Sequence, residues 1–160
     1  MRKSQAEIRM HIWVDADACP KPVKQILFRA AKRTKHFLTL VSNQYHRFPE
    51  SEYIESIQVP GGFDVADETI IEKASEHDLV ITSDIPLSAK CIEKGAVVLS
   101  PRGNLITQDN LSEILTMRNL KEELRGSGID TGGPAPMKAK DMEQFANQLD
   151  KILLKSLNGL

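Results

Sequence analysis

Residues 11–32 read HIWVDADACPKPVKQILFRAAK, and this stretch decides the fold class. Residues 11–15 form a short apolar run that ends at Asp-Ala-Asp, which predicts a buried strand. Pro20 and Pro22 suit the first turn of a helix, where a missing N–H group costs little. Apolar residues then recur at helical spacing, at Val23, Ile26, Leu27, Ala30 and Ala31. The stretch therefore predicts a strand followed by an amphipathic helix.

The same alternation continues along the chain. Further strands are predicted at residues 37–41, 53–59, 79–82 and 96–99. Helices are predicted from Asp64 to about residue 76, from Pro86 to Gly95, and in the region after residue 103. We expect a three-layer α/β fold, in which helices cover both faces of a mostly parallel five-stranded sheet and further helices follow at the C-terminus.

Acidic residues stand where predicted strands end or helices begin. Asp15 ends the first strand, Asp84 follows the fourth, and Asp67 and Glu68 lie in the first turn of an intervening helix. If the strand order is 3-2-1-4-5, the first and fourth strands are neighbours and their carboxylates share one crevice. Two carboxylates about 5 Å apart repel by roughly 3 kcal/mol at an effective dielectric constant near 20. A bound Mg²⁺ or Mn²⁺ would remove this repulsion, and carboxylate oxygens are the ligands that such cations prefer.

Each of these residues also has a structural explanation. Asp64 and Asp84 are good helix caps, Asp67 suits the capping geometry after Asp64, and Glu68 favours the helix dipole. Asp17 lies just before the helix that begins near Pro20. A single acidic residue in such a place is more often a cap than a metal ligand, so the argument depends on the group as a whole.

Candidate phosphate contacts lie at the same edge of the predicted sheet. Ser83 either contacts phosphate or caps the following helix. Arg102 follows the fifth strand and either clamps a phosphate oxygen or pairs with an aspartate. Lys21 is a second candidate for offsetting negative charge on a substrate. The loop SNQYHRFPES, residues 42–51, contains aromatic and basic residues that suit single-stranded nucleic acid, although an ordinary loop explains them equally well.

Composition narrows the protein class. The 160 residues are 41% hydrophobic and 27% charged, which fits a single globular domain. We expect residues 1–9 to be a loose extension and residues 10–155 to form that domain. The net charge of −1 gives no general attraction to nucleic acid. Two cysteines, Cys19 and Cys91, do not suit a disulfide scaffold, and no apolar run is long enough to cross a membrane, so we expect a cytoplasmic protein with no membrane partner.

Long motifs of the chain resemble one protein family. IWVDADACPKPVK, VPGGFDVADETI, DLVITSDIPLSAKCIEKGA, LSPRG and TGGPAP are similar to the YaiI/YqxD family of uncharacterised bacterial proteins, which is grouped with the PIN-like nuclease domains. The resemblance implies a PIN-like sheet of order 3-2-1-4-5 and cleavage of single-stranded RNA with Mg²⁺ or Mn²⁺. It implies metal ligation by Asp15, by Asp84 in TSDIPL, and by Asp67 or Glu68.

The chain departs from the PIN pattern at one position. A further acidic residue is common near the last strand, but residues 97–103 contain none and contain Arg102 instead. Asp17 is the candidate that replaces the missing ligand. Without a further acidic residue in 97–103, the pattern does not indicate two-metal catalysis.

Three functions are compatible with these observations. The leading hypothesis is a nuclease that acts on RNA or another phosphodiester with a divalent metal, using Asp15, Asp84, Asp67 and Arg102. A haloacid-dehalogenase-like phosphatase is the second, with Asp15 as its nucleophile and Thr82 or Ser83 as its hydroxyl residue. The later lysine and acidic pair that are usual in such enzymes are not evident. The third is a non-catalytic PIN-like module that binds RNA or protein.

Overall fold

A six-stranded sheet forms the centre of the protein. The computed structural model describes residues 9–62, 64–128 and 136–158. Its strands lie in the order β3-β2-β1-β4-β5-β6. They are β1 Ile12–Asp15, β2 Leu38–Ser42, β3 Ile54–Gln58, β4 Leu79–Ile81, β5 Val97–Leu99 and β6 Leu105–Ile106. The first five strands are parallel, and β6 pairs with β5 in the antiparallel direction.

In the part of the chain that the structure describes, five helices surround this sheet. They are α1 Lys21–Thr34, α2 Val65–Lys73, α3 Ile85–Glu93, α4 Gln108–Gly126 and α5 Ala139–Asn158. A 3₁₀ turn, Ala16–Ala18, joins β1 to the segment before α1. Within the described residues, no helix combines the length and apolar character that a membrane crossing requires.

The central strands β1, β2 and β4 bury both of their faces, which makes the fold three layers thick. Ile12 and Val14 pack into one apolar cluster with α1 and α5. Trp13, between them, packs into a second cluster with α2, α3 and α4. The same alternation recurs in β4, where Leu79 and Ile81 join the first cluster and Val80 the second. Successive side chains of a strand point to opposite faces, so these two clusters are the two cores of a sheet covered on both sides.

The predicted fold class and the order of the first five strands are confirmed, and the sheet is one strand larger than predicted. Strand β6 has only two residues, Leu105–Ile106, and so short a segment carries no periodic pattern. Of the predicted N-terminal extension, residues 1–8 lie outside the described residues. Arg9 donates a hydrogen bond to the Thr34 carbonyl at 2.8 Å. Residues 129–135, which include most of the TGGPAP motif, also lie outside the described residues.

The predicted caps of α2 and α3 have different outcomes. Asp84 caps α3, because its Oδ1 accepts a hydrogen bond from the Leu87 N–H at 2.8 Å. Asp64 precedes α2 but makes no side-chain cap, so that prediction is wrong. Its backbone is left-handed, with φ of 63°, whereas a capping residue normally has an extended backbone that turns its side chain towards the helix N–H groups.

Helix α5 closes the first core through a row of buried apolar residues. Phe145, Leu149 and Leu153 are almost fully buried. Near the end of the helix, the buried His36 approaches Ser156 Oγ with Nε2 at 3.1 Å, and its Nδ1 lies 2.6 Å from Thr34 Oγ1. Burial, together with the positive charge of Arg9, lowers the pKa of His36 to about 4.

We expect His36 to make stability fall on acidification. The His36 ring takes up a proton near pH 6.5 in the unfolded chain but only near pH 4 in the folded chain. Protonation therefore favours the unfolded chain as pH falls from 6.5 to 4, and the free energy of unfolding decreases over that range. His36→Gln keeps a donor and an acceptor but does not titrate. Urea denaturation at pH 7.5 and pH 4.5 should show a smaller loss for the variant than for the wild type. Equal losses would show that His36 does not titrate in this way.

Candidate active site

Asp15 lies at the end of β1, beside the point where the strand order reverses between β1 and β4. It is only 8% exposed, and its Oδ2 accepts a hydrogen bond from Thr82 Oγ1 at 2.9 Å. Burial raises the pKa of Asp15; the bond from Thr82 opposes this effect, and the charges of Asp84 and Asp17 add to it. Asp15 therefore lies at the carboxyl edge of a parallel sheet, and ligands of such sheets bind at that edge.

Thr82 connects Asp15 to Asp84. Its Oγ1 donates to Asp15 and accepts a hydrogen bond from the Asp84 backbone N–H at 3.0 Å. One buried hydroxyl group therefore holds the ends of β1 and β4 together. The sequence suggested Thr82 only for the phosphatase alternative. The signal for its role was a β-branched hydroxyl residue at a strand end, opposite an aspartate in the neighbouring strand.

Asp67 joins these residues from the first turn of α2. Burial raises its pKa to about 6, with further contributions from the negative charges of Asp84, Asp15 and Asp64. Thr82 links Asp15 to Asp84, and the charges of both act on Asp67, so Asp15, Asp67 and Asp84 form one anionic group. Three separate elements, β1, α2 and the β4–α3 junction, supply its members.

Glu68 and Asp17 occupy the margin of this group. The Glu68 side chain is exposed on α2. The Asp17 carboxylate accepts hydrogen bonds from the Asn43 N–H at 2.6 Å and from His46 Nε2 at 2.9 Å. Burial alone would raise the pKa of Asp17. These hydrogen bonds, together with that of the Gln44 N–H, lower it. Asp17 thus anchors the loop after β2, although its charge still raises the pKa of Asp15.

Two of the three predicted phosphate contacts line a cavity beside the acidic group, and the third lies elsewhere. Ser83 and Arg102 both line a cavity of 810 Å³ beside the acidic group, and Thr82 lies in its wall. Arg102 Nη1 also donates to Asp141 Oδ2 at 3.1 Å, so it pairs with an aspartate of α5 rather than with one of the acidic group. Lys21 is exposed at the first residue of α1 and is not among the residues that line the cavity.

The acidic group provides oxygen ligands, but its side chains are not arranged as a complete metal-binding site. Among the described residues, no three side chains of His, Cys, Asp or Glu are arranged to hold a metal ion. Asp15 Oδ2 is directed to Thr82 and Asp84 Oδ1 to its helix. The chemistry of the donors nevertheless fits a hard dication, because carboxylate oxygens are its preferred ligands and its charge would relieve the repulsion that raises the pKa of Asp67.

Comparisons with known proteins identify close relatives. A UPF0178 protein of Maridesulfovibrio salexigens is 58% identical over 151 residues, which cover 94% of this chain and 100% of the relative. A UPF0178 protein of Bordetella petrii is 59% identical over 147 residues, which cover 92% of this chain and 98% of the relative. A third, from Hydrogenovibrio crunogenus, is 54% identical over 146 residues, or 91% of this chain and 97% of the relative. No solved structure matches the chain.

A family model agrees with these relatives. The model of an uncharacterised bacterial family, YaiI/YqxD, matches residues 13–155. That match includes Asp15, Asp67, Thr82, Asp84 and Arg102. The predicted resemblance is therefore confirmed, and the chain belongs to the YaiI/YqxD family.

Proposed function

We propose that the protein is a divalent-metal-dependent nuclease that acts on RNA or another phosphodiester. The observation that carries this proposal is that Thr82 links Asp15 to Asp84 at the carboxyl edge of the sheet, and that the charges of both act on Asp67 of α2. A fold gains no stability from crowding three carboxylates together. Perturbed acidic groups of this kind are typical of functional sites.

Asp15, Asp67 and Asp84 are the residues that would hold Mg²⁺ or Mn²⁺, with Asp17 and Glu68 at the margin. A bound dication would polarise the scissile phosphate and lower the pKa of an attacking water. The protein's own contribution is the placement of its oxygens. Thr82 fixes the Asp15 carboxylate, and the Asp84 side chain is held by the first turn of α3.

Positive charge near the acidic group comes from Arg102. Its guanidinium group lines the adjoining cavity and is oriented by Asp141 of α5. Asp141 is in turn held by the Lys138 N–H, which donates to the same Oδ2 at 3.0 Å. An oriented guanidinium group matches the geometry of phosphate oxygens and can stabilise the negative charge that develops during phosphodiester cleavage.

A non-catalytic binding module is the second candidate. The absence of a preformed three-ligand cluster among the described residues favours it, as does the lack of an acidic residue in 97–103. Such a module would keep the fold and the cavity without affinity for a dication. Metal binding therefore separates the two candidates.

We expect Mn²⁺ to stabilise the wild-type protein at pH 7.5. At ten times its Kd, a ligand that binds only the folded state adds about 1.4 kcal/mol, which raises the Tm of a chain of this size by several degrees. Asp67→Asn should abolish this Mn²⁺-dependent shift. Glu72→Gln, which removes an exposed carboxylate from the same helix, is the matched control and should retain it.

Without metal, Asp67→Asn should raise the stability of the folded protein. The pKa of Asp67 is about 6 in the folded protein and near 3.8 when unfolded, so its burial lowers stability as pH rises through that window. The variant should therefore be more stable than the wild type at pH 7.5 in EDTA, and the Mn²⁺ shift of the wild type should be small at pH 5. A wild type that Mn²⁺ leaves unchanged would contradict the metal site and favour the binding module.

A further inference from the structure

The cavity beside the acidic group has the size and location of a ligand site. Its volume of 810 Å³ lies within the range of about 300–1,000 Å³ that is usual for small-molecule sites. It opens between the residues that follow β4 and β5, the start of α4 and the first turns of α5. None of its lining residues belongs to the acidic group.

Two kinds of side chain line the cavity. One is apolar and is supplied by residues such as Ile85, Pro101 and Ile114. The other is polar and includes the side-chain amides of Asn104, Gln144 and Gln148. Arg102 is the one charged side chain among the described residues that line the cavity. The walls thus suit a ligand with an apolar face, a polar edge and a negative charge.

Two of these amides, Asn104 and Gln144, are held in place by contacts between α5 and the loop after β5. Gln144 Nε2 donates to the Gly103 carbonyl at 3.3 Å and to Asn104 Oδ1 at 3.2 Å. Asn104 N–H in turn donates to Ser100 Oγ at 3.1 Å. Gln148 follows Gln144 by one helical turn, so both side chains lie on the same side of α5. Side chains with fixed positions lose little conformational entropy when a ligand binds.

Thr82 connects the cavity to the acidic group. It lines the cavity and donates to Asp15 Oδ2 at 2.9 Å. Ser83, beside it, also lines the cavity, and Asp84 follows directly. A ligand that fills the cavity therefore has one end next to the carboxylates.

We propose that this cavity binds one nucleotide of the substrate, with the base between the apolar side chains and the amides and the attached phosphate near Arg102 and Thr82. The inference rests on the proposed nuclease function and adds to it a base-recognition pocket. Planar bases bind between apolar side chains and are read by hydrogen bonds at their edges, for which Asn and Gln are well suited. A simple phosphate would use Arg102 but not the apolar side chains or the amides.

Nucleoside 5′-monophosphates test the pocket apart from catalysis. Binding of AMP, GMP, CMP and UMP is measured by calorimetry in EDTA, with inorganic phosphate and ribose 5-phosphate as base-free probes. We expect at least one nucleotide to bind the wild type more tightly than either base-free probe. Gln148→Leu should weaken this binding about tenfold, because it removes hydrogen bonds to the base edge.

Asn147→Leu is the matched control, since it makes a similar change on an exposed side of the same helix and should leave nucleotide binding unchanged. The pocket is refuted if no nucleotide binds, if inorganic phosphate binds as well as the nucleotides, or if Gln148→Leu binds like the wild type. Nucleotide binding without any cleavage of RNA would support the pocket and refute the nuclease. If RNA cleavage depends on Asp15 but no nucleotide binds, the nuclease is supported and the pocket is refuted.

Discussion

Asp15→Asn and Asp84→Asn are each expected to lower Mn²⁺-dependent cleavage of a labelled single-stranded RNA by at least about a hundredfold. Each change removes a negative charge from a group whose members are electrostatically coupled. A neutral amide is a far weaker ligand for a hard dication than a carboxylate. The measurement is the initial cleavage rate with Mn²⁺ and with EDTA, on RNA and on single-stranded DNA.

Both variants should remain folded, so that a loss of cleavage reports on the site. Asn is as good an N-cap as Asp, so Asp84→Asn preserves the start of α3. An amide oxygen at position 15 can still accept the hydrogen bond of Thr82. Asp109→Asn makes the same chemical change in the exposed first turn of α4 and should cleave at the wild-type rate. Full activity in both site variants would show that these carboxylates do not take part.

Gly103→Ala is expected to destabilise the protein by roughly 2–4 kcal/mol, from backbone strain and overpacking together. Gly103 has φ of 85°, a conformation that side chains disfavour, and an added Cβ would lie 2.6 Å from the Phe145 backbone nitrogen. The methyl group would force apart α5 and the loop that carries Arg102. Urea denaturation measures the loss of stability, and nucleotide binding measures the damage to the cavity.

Gly126→Ala is the control for this substitution. Gly126 is the last residue of α4, and an added Cβ would meet nothing within 4 Å. A helical Gly→Ala change at an open site stabilises by up to about 1 kcal/mol, so this variant should be as stable as the wild type or more so. Similar results for the two variants would mean that the contact between Gly103 and α5 does not constrain the fold.

Much of the scaffold could be predicted because it depends on local patterns. The run IWV in β1 alternates between the two cores, and the apolar spacing in α1 places its buried face against the same sheet. Parallel connections of this kind have a fixed hand, which limits the possible strand orders. Asp15 and Asp84 could be assigned to one edge for the same reason, since both follow parallel strands.

Other parts of the candidate site depend on contacts between distant residues. Asp17 is close to Asp15 in sequence, but its hydrogen bonds go to residues 43–46, which the strand pattern does not position. Asp64 follows two glycines and takes a left-handed backbone, so its cap was predicted wrongly. Arg102 pairs with Asp141, which is 39 residues away in sequence.

The sequence alone determined the layers and the carboxylates at the ends of strands and the starts of helices, because periodicity and chain direction are properties of neighbouring residues. The order of the first five strands came from the family resemblance. Only the tertiary structure decided that Thr82 joins Asp15 to Asp84 and that α5 lies against Gly103 to complete a cavity lined by Gln144 and Gln148. These features arise when helices and loops far apart in the chain pack together. Burial and hydrogen bonding between such elements are set by the whole fold, and no local pattern encodes them.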